Sequence, residues 1–303
     1  TTIVAYENFQ GLDSSRDLTS QDIKAEQPLS TLENAFCDWR GQIVRDPNAS
    51  YRSGDYKVIH VRHFGMGEVS WAERTGSGIT FNSDRDHSLV DAYPINACVS
   101  STVFNQNVHF FARALTSYRY DGISWQANES PALNKLNPAL GVPVQRRLAV
   151  AGIPGRETQV HFSRVDQSEI FPDDEDNTST DVLRAGYIDI ANQLGTADQI
   201  TGISPFEQNR VIIFTSDRAL MYQIDPDITL WTIDERTTIN IGCSSHNTIV
   251  QAGTDVIFCS RSGVHSIRRS QDNGILVFSV SMSDKVDLLY REYFNSVIDP
   301  ETI

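Results

Sequence analysis

Several features that would assign this sequence to a common protein class are missing. No stretch approaches the roughly 18 uncharged apolar residues that a membrane-spanning helix needs, so membrane insertion is not expected. Thr1–Gln10 has neither a basic start nor a long apolar run, which argues against a signal peptide. With 40% hydrophobic residues, the chain instead has the composition of a globular protein.

Cysteine is scarce and widely spaced. The four cysteines, Cys37, Cys98, Cys243 and Cys259, form no C-x-x-C pair. Zinc binding is therefore not expected at these spacings. Four reduced, mostly buried thiols in a reducing cell are favoured, with disulfides as the alternative.

Basic residues are also few relative to acidic ones. The chain has 25 Lys and Arg against 39 Asp and Glu, a net charge of −14. A protein that grips nucleic acid needs a basic face, and this balance argues against one. An acidic surface repels phosphate and would suit a wall past which DNA slides without sticking. The basic pairs Arg146-Arg147 and Arg268-Arg269 are expected to be solvated or interfacial.

The motifs of common catalytic and cofactor sites are absent. The sequence has no Gly-x-Ser-x-Gly and no P-loop, and Gly65-x-Gly67 lacks the third glycine of a dinucleotide loop. Cys243–His246 places a thiol, two hydroxyls and an imidazole close in sequence. Nucleophile triads assemble in space, so this proximity has little weight. We therefore predict no catalytic residue, no cofactor site and no enzyme activity.

Two groups of residues have side chains that could bind a metal. The acidic run at 173–176 could hold calcium, but no glycine follows at EF-hand spacing, and a solvated loop is preferred. His60 and His63 are three apart on an expected strand and so face opposite sides. His109 and His161 occupy matching places in two repeats, which favours a structural role. No metal site is predicted.

What the sequence does contain is a repeat. Five segments begin with a polar residue followed by Val and continue with β-branched or aromatic residues, as buried strands do. Their valines lie 45 to 52 residues apart, the spacing of β-propeller blades. The segments are Lys57–Val61, Asn107–Phe111, Gln159–Ser163, Arg210–Phe214 and Asp255–Cys259.

Turns and aromatic residues recur with these segments. Asp121-Gly122 and Ser262-Gly263 mark hairpin turns. Trp71, Trp125 and Trp231 each follow or lie just inside a second strand, where an aromatic residue is expected to pack between blades. The sequence thus predicts an all-β fold, a β-propeller of five to six blades, with each valine-led strand as the inner part of one wedge.

The blades are assigned to residues 51–282. Residues 1–50 form an N-terminal strand or extended region, in which Asn34–Arg45 resembles a hairpin. Residues 283–303 form a C-terminal segment, where Ser283–Phe294 spaces apolar residues at helical intervals and predicts a short helix. A ring that does not close leaves unpaired edges. Either the two termini share a sixth blade, or the natural chain continues beyond Ile303.

A longer series of motifs carries a family resemblance. Over Gln159–Ile267, their order is similar to that of the propeller proteins of short-tailed phage necks and tails, called tail hub, nozzle or DNA-stabilisation proteins. Gln199 stands where that family commonly has Pro. The motifs are Val160–Ser163, Phe171-Pro172, Tyr187–Ile190, Ile200–Ile203, Asn209–Phe214, Tyr222–Pro226, Ile241–Ser245, Ile249-Val250 and Phe258–Val264, with Pro28–Ala35 and Gly41–Arg45 upstream.

The resemblance implies a structural virion protein, assembled in the host cytoplasm. It would form a homo-oligomeric ring, commonly of six copies, around the DNA exit channel, attached to the adaptor below the portal and to tail proteins. DNA would pass through the lumen without sequence-specific binding, and an acidic lumen would repel its phosphates. The resemblance gives no residue a catalytic role. Family members extend beyond the position of Ile303.

Two other functions fit the same fold. A propeller enzyme or glycan-binding protein needs carboxylates or histidines that converge at matched repeat positions, but the repeated residue here is valine. A cellular protein-interaction scaffold would differ from a nozzle subunit in its oligomeric state, because scaffold propellers are usually monomeric.

Overall fold

The computed structural model describes residues 35–37, 43–45, 57–65, 68–74, 78–83, 90–94, 97–127, 131–174, 181–194, 198–234, 239–252, 255–269 and 276–278. Nearly all regular structure in this part of the chain is β. The one α-helix among these residues, α1, spans Pro131–Leu136. None of the helices described there has the length and hydropathy needed to cross a bilayer.

The strands form one two-stranded and five four-stranded antiparallel sheets. Strands β1 (Ala35–Cys37) and β2 (Ile43–Arg45) pair as a hairpin, as predicted. The first sheet contains β3 (Lys57–Gly65), β4 (Glu68–Arg74), β5 (Ile79–Ser83) and β6 (Val90–Tyr93). The second sheet contains β7 (Ser100–Phe104), β8 (Asn107–Phe111), β9 (Tyr118–Tyr120) and β10 (Trp125–Ala127).

The remaining three sheets follow the same plan. The third contains β11 (Leu140–Val144), β12 (Arg147–Ala151), β13 (Gln159–Phe162) and β14 (Gly186–Asp189). The fourth contains β15 (Ile200–Phe206), β16 (Arg210–Thr215), β17 (Ala219–Gln223) and β18 (Thr232–Ile233). The fifth contains β19 (Val250–Ala252), β20 (Asp255–Ser260), β21 (Gly263–Arg269) and β22 (Leu276–Phe278).

Each sheet is a meander whose strands lie side by side in chain order. The first strands of neighbouring sheets lie against one another, β3 beside β7, β7 beside β11 and β11 beside β15. Successive four-stranded meanders that meet along their first strands are the blades of a β-propeller. The predicted fold class is therefore confirmed, with five blades described. The C-terminal helix expected in residues 283–303 lies outside the described residues.

The valine-led segments all begin strands, but they do not occupy one position in the blades. They begin β3, β8, β13, β16 and β20, which are the first, second, third, second and second strands of their sheets. The prediction that each is the inner strand of its wedge is correct for β3 and wrong for the other four. Any buried strand favours Val, Ile and Phe, so this composition does not specify a strand's place in its sheet.

Apolar side chains fill the space between neighbouring sheets. One cluster, which includes Phe81 and Phe110, joins the first and second sheets. Others join the second to the third, the third to the fourth and the fourth to the fifth. Trp125 stacks on Phe81 at 5.3 Å, and Trp231 packs against Phe162 at 4.7 Å. Both tryptophans therefore lie between blades, as predicted.

Two tight turns have the same backbone form in adjacent blades. Asn105 and Gln106 join β7 to β8 with φ of 48° and 60°, and Gln145 and Arg146 join β11 to β12 with φ of 48° and 59°. Positive φ at both central residues is the type I′ hairpin geometry, which matches the twist of paired strands. The first hairpins of the second and third sheets are thus equivalent.

Candidate functional site

The first strands surround the propeller axis, where proteins of this fold often bind ligands. Strands β7, β11, β15 and β19 contain no Asp, Glu, Lys or Arg. β3 differs, since its sequence includes Lys57 and Arg62. The four uncharged strands offer neither converging carboxylates for glycoside hydrolysis nor basic groups for phosphate.

Negative charge lies elsewhere in the blades. Of the Asp and Glu residues described from Ala97 onward, all but Asp189 and Asp255 lie outside strands, in the connections. The connections form the two ends and the outer rim of a propeller. Acidic residues in this part of the chain therefore lie mostly at the ends and the outer rim of the blades.

The first strands are packed closely against their neighbours. A Cβ atom on Gly141 of β11 would overlap the buried ring of Phe111 from the second sheet. A Cβ on Gly202 of β15 would come within 2.5 Å of Ile249 Cδ1. Glycine is needed at both places because the neighbouring side chain occupies the Cβ position. At both places the first strand packs directly against the neighbouring blade.

Polar side chains link first strands, or residues next to them, in different sheets. Asn247 precedes β19, and its Nδ2 donates to the carbonyl of Val99, which precedes β7, at 3.1 Å. The Asn247 amide also lies 3.6 Å from the Cys98 thiol. Gln251 Nε2 donates to the Pro205 carbonyl at 3.2 Å. These amides tie the fifth sheet to the second and fourth.

The Cys243–His246 segment has a structural role in this linkage. Cys243 is fully buried, and its thiol donates to the Ser245 carbonyl at 3.1 Å and lies 3.4 Å from Thr248 Oγ1. Burial raises the pKa of the Cys243 thiol, which favours the unreactive protonated form. Cys98, Cys243 and Cys259 are free thiols. The side chain of Cys37 is not described.

Arg147 forms a buried clasp between the third and fourth sheets, although the basic pair was expected to be solvated or interfacial. Its Nη1 donates to the carbonyls of Ser163 at 2.8 Å and Arg184 at 2.6 Å, and its Nη2 donates to the Pro226 carbonyl at 2.8 Å. The guanidinium lies 5.6 Å from the centre of the Trp231 ring. The expectation that Arg147 is solvated is therefore wrong. Arg147 does lie at an interface, but the interface is between two sheets of the same chain.

Its neighbour Arg146 is mostly exposed and pairs with Asp166, as expected for a solvated residue. The two arginines differ because Arg146 lies in the exposed turn before β12, whereas Arg147 is the first residue of that strand and is buried. An adjacent basic pair in sequence does not show which member is buried. Sequence reasoning therefore missed the clasp.

Two buried histidines lie between the second and third sheets. His109 on β8 stacks on Phe111, with ring centres 6.2 Å apart, and His161 on β13 stacks on Tyr187 at 5.6 Å. Burial lowers the pKa of each to about 4. Both imidazoles are thus neutral at pH 7. They occupy a second and a third strand rather than matching places, but both face the same interface.

The acidic run makes no metal site among the described residues. Asp173 pairs with Arg156 at 3.1 Å, and Asp174 accepts a hydrogen bond from the Phe171 amide at 3.2 Å. Glu175 and Asp176 lie outside the described residues. No group of three potential metal ligands occurs in the part of the chain described.

Comparisons with known proteins return structures but no sequence family. No family model and no curated protein matches the sequence. Virginiamycin B lyase from Staphylococcus aureus, in an inactive form with quinupristin, is 13% identical with a TM-score of 0.43, covering 83% of this chain and 78% of its own. YCF48 from Cyanidioschyzon merolae is 12% identical with a TM-score of 0.40, covering 75% and 74%.

A protein from Lactobacillus plantarum is 10% identical with a TM-score of 0.46, covering 70% of this chain and 67% of its own. At these values, none of the three similarities assigns an activity, substrate or partner to this chain.

Proposed function

We propose that the chain is a structural subunit of a short-tailed phage neck or tail and has no enzyme activity. The sequence resemblance to phage tail hub and nozzle proteins supports this proposal. It runs over Gln159–Ile267, which in the structure extends from β13 to β21. The resembling motifs thus belong to three consecutive blades, which pack against one another through two apolar clusters.

The observation that carries the proposal is the lack of charged residues in four of the five described first strands. Strands β7, β11, β15 and β19 are uncharged, and close packing at Gly141 and Gly202 leaves their Cβ positions filled. A catalytic or glycan-binding propeller needs polar groups that converge there. A wall subunit needs only rigidity between blades and acidic connections that do not bind phosphate.

In this role, the blades form the wall of a ring of six copies, and the connections contact the adaptor, tail proteins and neighbouring copies. DNA moves past the acidic connections without being held. The mechanism is mechanical, and no residue of the chain forms or breaks a bond. The protein resides in the virion after assembly in the host cytoplasm.

Electron microscopy of the particle that contains the chain, and of the purified chain, tests the proposal. We expect rings with sixfold symmetry and an axial hole. Absence of the chain from phage particles would overturn the proposal.

Fluorescence anisotropy with labelled duplex DNA is the second measurement. We expect no detectable binding at 50 mM or 200 mM salt. Tight binding that weakens steeply with salt would contradict a non-adhesive wall, because such dependence reports phosphate contacts. Turnover in a hydrolase screen, or binding on a glycan array, would favour the propeller enzyme or glycan-binding alternative.

A further inference from the structure

Exposed apolar side chains lie where the connections of the third and fourth sheets meet. Val182 and Leu183 lie just before β14, and Leu230 lies between β17 and β18. Leu230 is 57% exposed and Val182 is 52% exposed. These three of the six large exposed apolar residues described in the chain are called the rim patch. Clustered exposure of this kind marks interaction surfaces.

The contacts of Arg147 show that the two segments of the rim patch are adjacent. One guanidinium binds the carbonyl of Arg184 from the first segment and that of Pro226 from the second. In addition, a Cβ on Gly186 would lie 3.0–3.1 Å from atoms of Trp231 and Ile228. The patch is therefore attached to a rigid, buried clasp, and its geometry is fixed before any partner binds.

Charge at the patch indicates the chemistry of the partner. Asp225 and Asp227 stand beside Leu230, and neither carboxylate makes an ion pair with any residue of the described chain. Each carboxylate accepts a hydrogen bond from a nearby backbone amide, and Asp227 also interacts with the charge of Arg184. An apolar surface flanked by carboxylates that make no ion pair fits a partner that presents a guanidinium next to apolar groups.

This chain carries an exposed arginine and an exposed valine on its fifth sheet. Arg261 is exposed at the tip of the hairpin between β20 and β21, and no ion pair to it is present in the described part of the chain. Val250, also 57% exposed, begins β19 and pairs with Ile257 on β20, towards the strand end that carries Arg261.

The two surfaces lie at opposite ends of the sheets. The rim patch lies in the connections after third strands, where first strands end, whereas Arg261 follows a second strand, where first strands begin. A contact between them joins different surfaces of two copies. Contacts of this kind continue into a ring or a filament and do not stop at a dimer.

We propose that the rim patch binds the Arg261 end of the fifth sheet of a second copy of this chain. This inference rests on the proposed ring function and names its subunit contact. The apolar side chains supply the buried area of the contact, and Asp225 with Asp227 pairs with Arg261.

Sedimentation velocity of the full chain with paired variants tests the contact. The variant Val182→Asp/Leu230→Asp should remain monomeric at concentrations where the wild type assembles beyond a dimer. Ile123→Asp is the matched control, because Ile123 is 77% exposed at the tip of the β9–β10 hairpin, outside the patch. It should assemble like the wild type. Circular dichroism melting checks that all variants fold.

Variants that exchange the charges of the proposed ion pair provide a second test of the contact. Asp225→Arg and Arg261→Asp should each weaken assembly by about tenfold, and the double variant should recover most of that loss. The proposed contact would be overturned if Val182→Asp/Leu230→Asp assembled like the wild type. It would also be overturned if Asp225→Arg and Arg261→Asp weakened assembly additively when combined. A wild-type chain that is monomeric alone but binds a purified tail protein through the patch would assign the surface to that protein instead.

Microscopy of particles separates this inference from the proposed function. Sixfold rings that persist in particles carrying the double-aspartate variant would refute the rim-patch contact and leave the ring function intact. Particles that lack the chain altogether would refute the ring function itself.

Discussion

The interface between the second and third sheets and the interface between the third and fourth bury different polar groups. The former contains His109 and His161, and the latter contains Arg147. An imidazole becomes neutral when buried, whereas a guanidinium keeps its charge and needs hydrogen-bond acceptors. The comparison shows two ways to place a polar side chain between blades. One makes the interface sensitive to pH, and the other makes it depend on a complete set of carbonyl contacts.

The largest expected effect comes from removing the clasp. Arg147→Met keeps much of the side-chain volume but leaves the carbonyls of Ser163, Arg184 and Pro226 without their donor. We expect a loss of about 3–5 kcal/mol in the free energy of unfolding, measured by urea denaturation. Arg146→Met is the control and should change it by less than about 0.5 kcal/mol. Equal stability of the two variants would show that the clasp contributes nothing.

Acid should weaken the histidine interface selectively. His109 has a folded pKa of about 4, below its unfolded value near 6.5. The unfolded chain therefore binds the proton more readily than the folded chain. The stability that depends on neutral His109 is complete above pH 6.5 and is lost as the pH falls towards 4. The loss is roughly 3 kcal/mol for this fully buried group. Urea midpoints from pH 7 to pH 4 measure it.

His109→Leu is the variant that isolates this titration. Its stability should fall less steeply over the same pH range, because one of the two imidazoles buried between the second and third sheets is gone. An unchanged pH slope would show that His109 does not control acid sensitivity. Hydrogen exchange should show faster opening between the second and third sheets than between the third and fourth at pH 5.

A smaller difference should separate two glycines on opposite faces of the third sheet. Gly141→Ala would push a Cβ into the buried Phe111 ring, and overpacking of this kind costs about 1–3 kcal/mol. Gly186→Ala would place its Cβ 3.0–3.1 Å from Trp231 and Ile228, which needs only a slight shift. Its cost should stay below about 1 kcal/mol. Thermal melting of the two variants gives the comparison, and the reverse order would contradict the packing described.

The smallest effect tests what Trp231 adds to the clasp. Trp231→Phe keeps a ring beside Arg147 but removes the indole N–H that donates to the Asp225 carbonyl at 2.7 Å. We expect a loss of about 1 kcal/mol. A loss as large as that of Arg147→Met would show that the indole, rather than the guanidinium, holds the third and fourth sheets together.

Much of the propeller could be predicted from local patterns. Each valine-led segment begins a strand, and Trp125 and Trp231 pack between blades. These predictions succeed because strand composition and aromatic packing depend on burial, which a short segment reveals. The place of a strand in its sheet depends on pairing with distant residues, so the assignment of β8, β13, β16 and β20 as inner strands was wrong.

The buried clasp and the rim patch, in contrast, could not be predicted from local patterns. Arginine is almost always exposed unless paired, so composition favours solvent for both Arg146 and Arg147. The carbonyls that bind Arg147 come from residues 16, 37 and 79 positions away. Likewise, Leu230 reads as an ordinary apolar residue until its exposure is known. Neither feature has a local sequence signal, because each is made by tertiary packing.

The meander order of the strands also has a consequence for synthesis of the chain. Each blade is built from one continuous stretch, so its strands can pair as soon as that stretch leaves the ribosome, at low loop-closure cost. The amide of Asn247 must wait for a partner 148 residues upstream. Joining of the second and fifth blades is thus expected to be the late step of folding, and slow translation of the last blade should delay it.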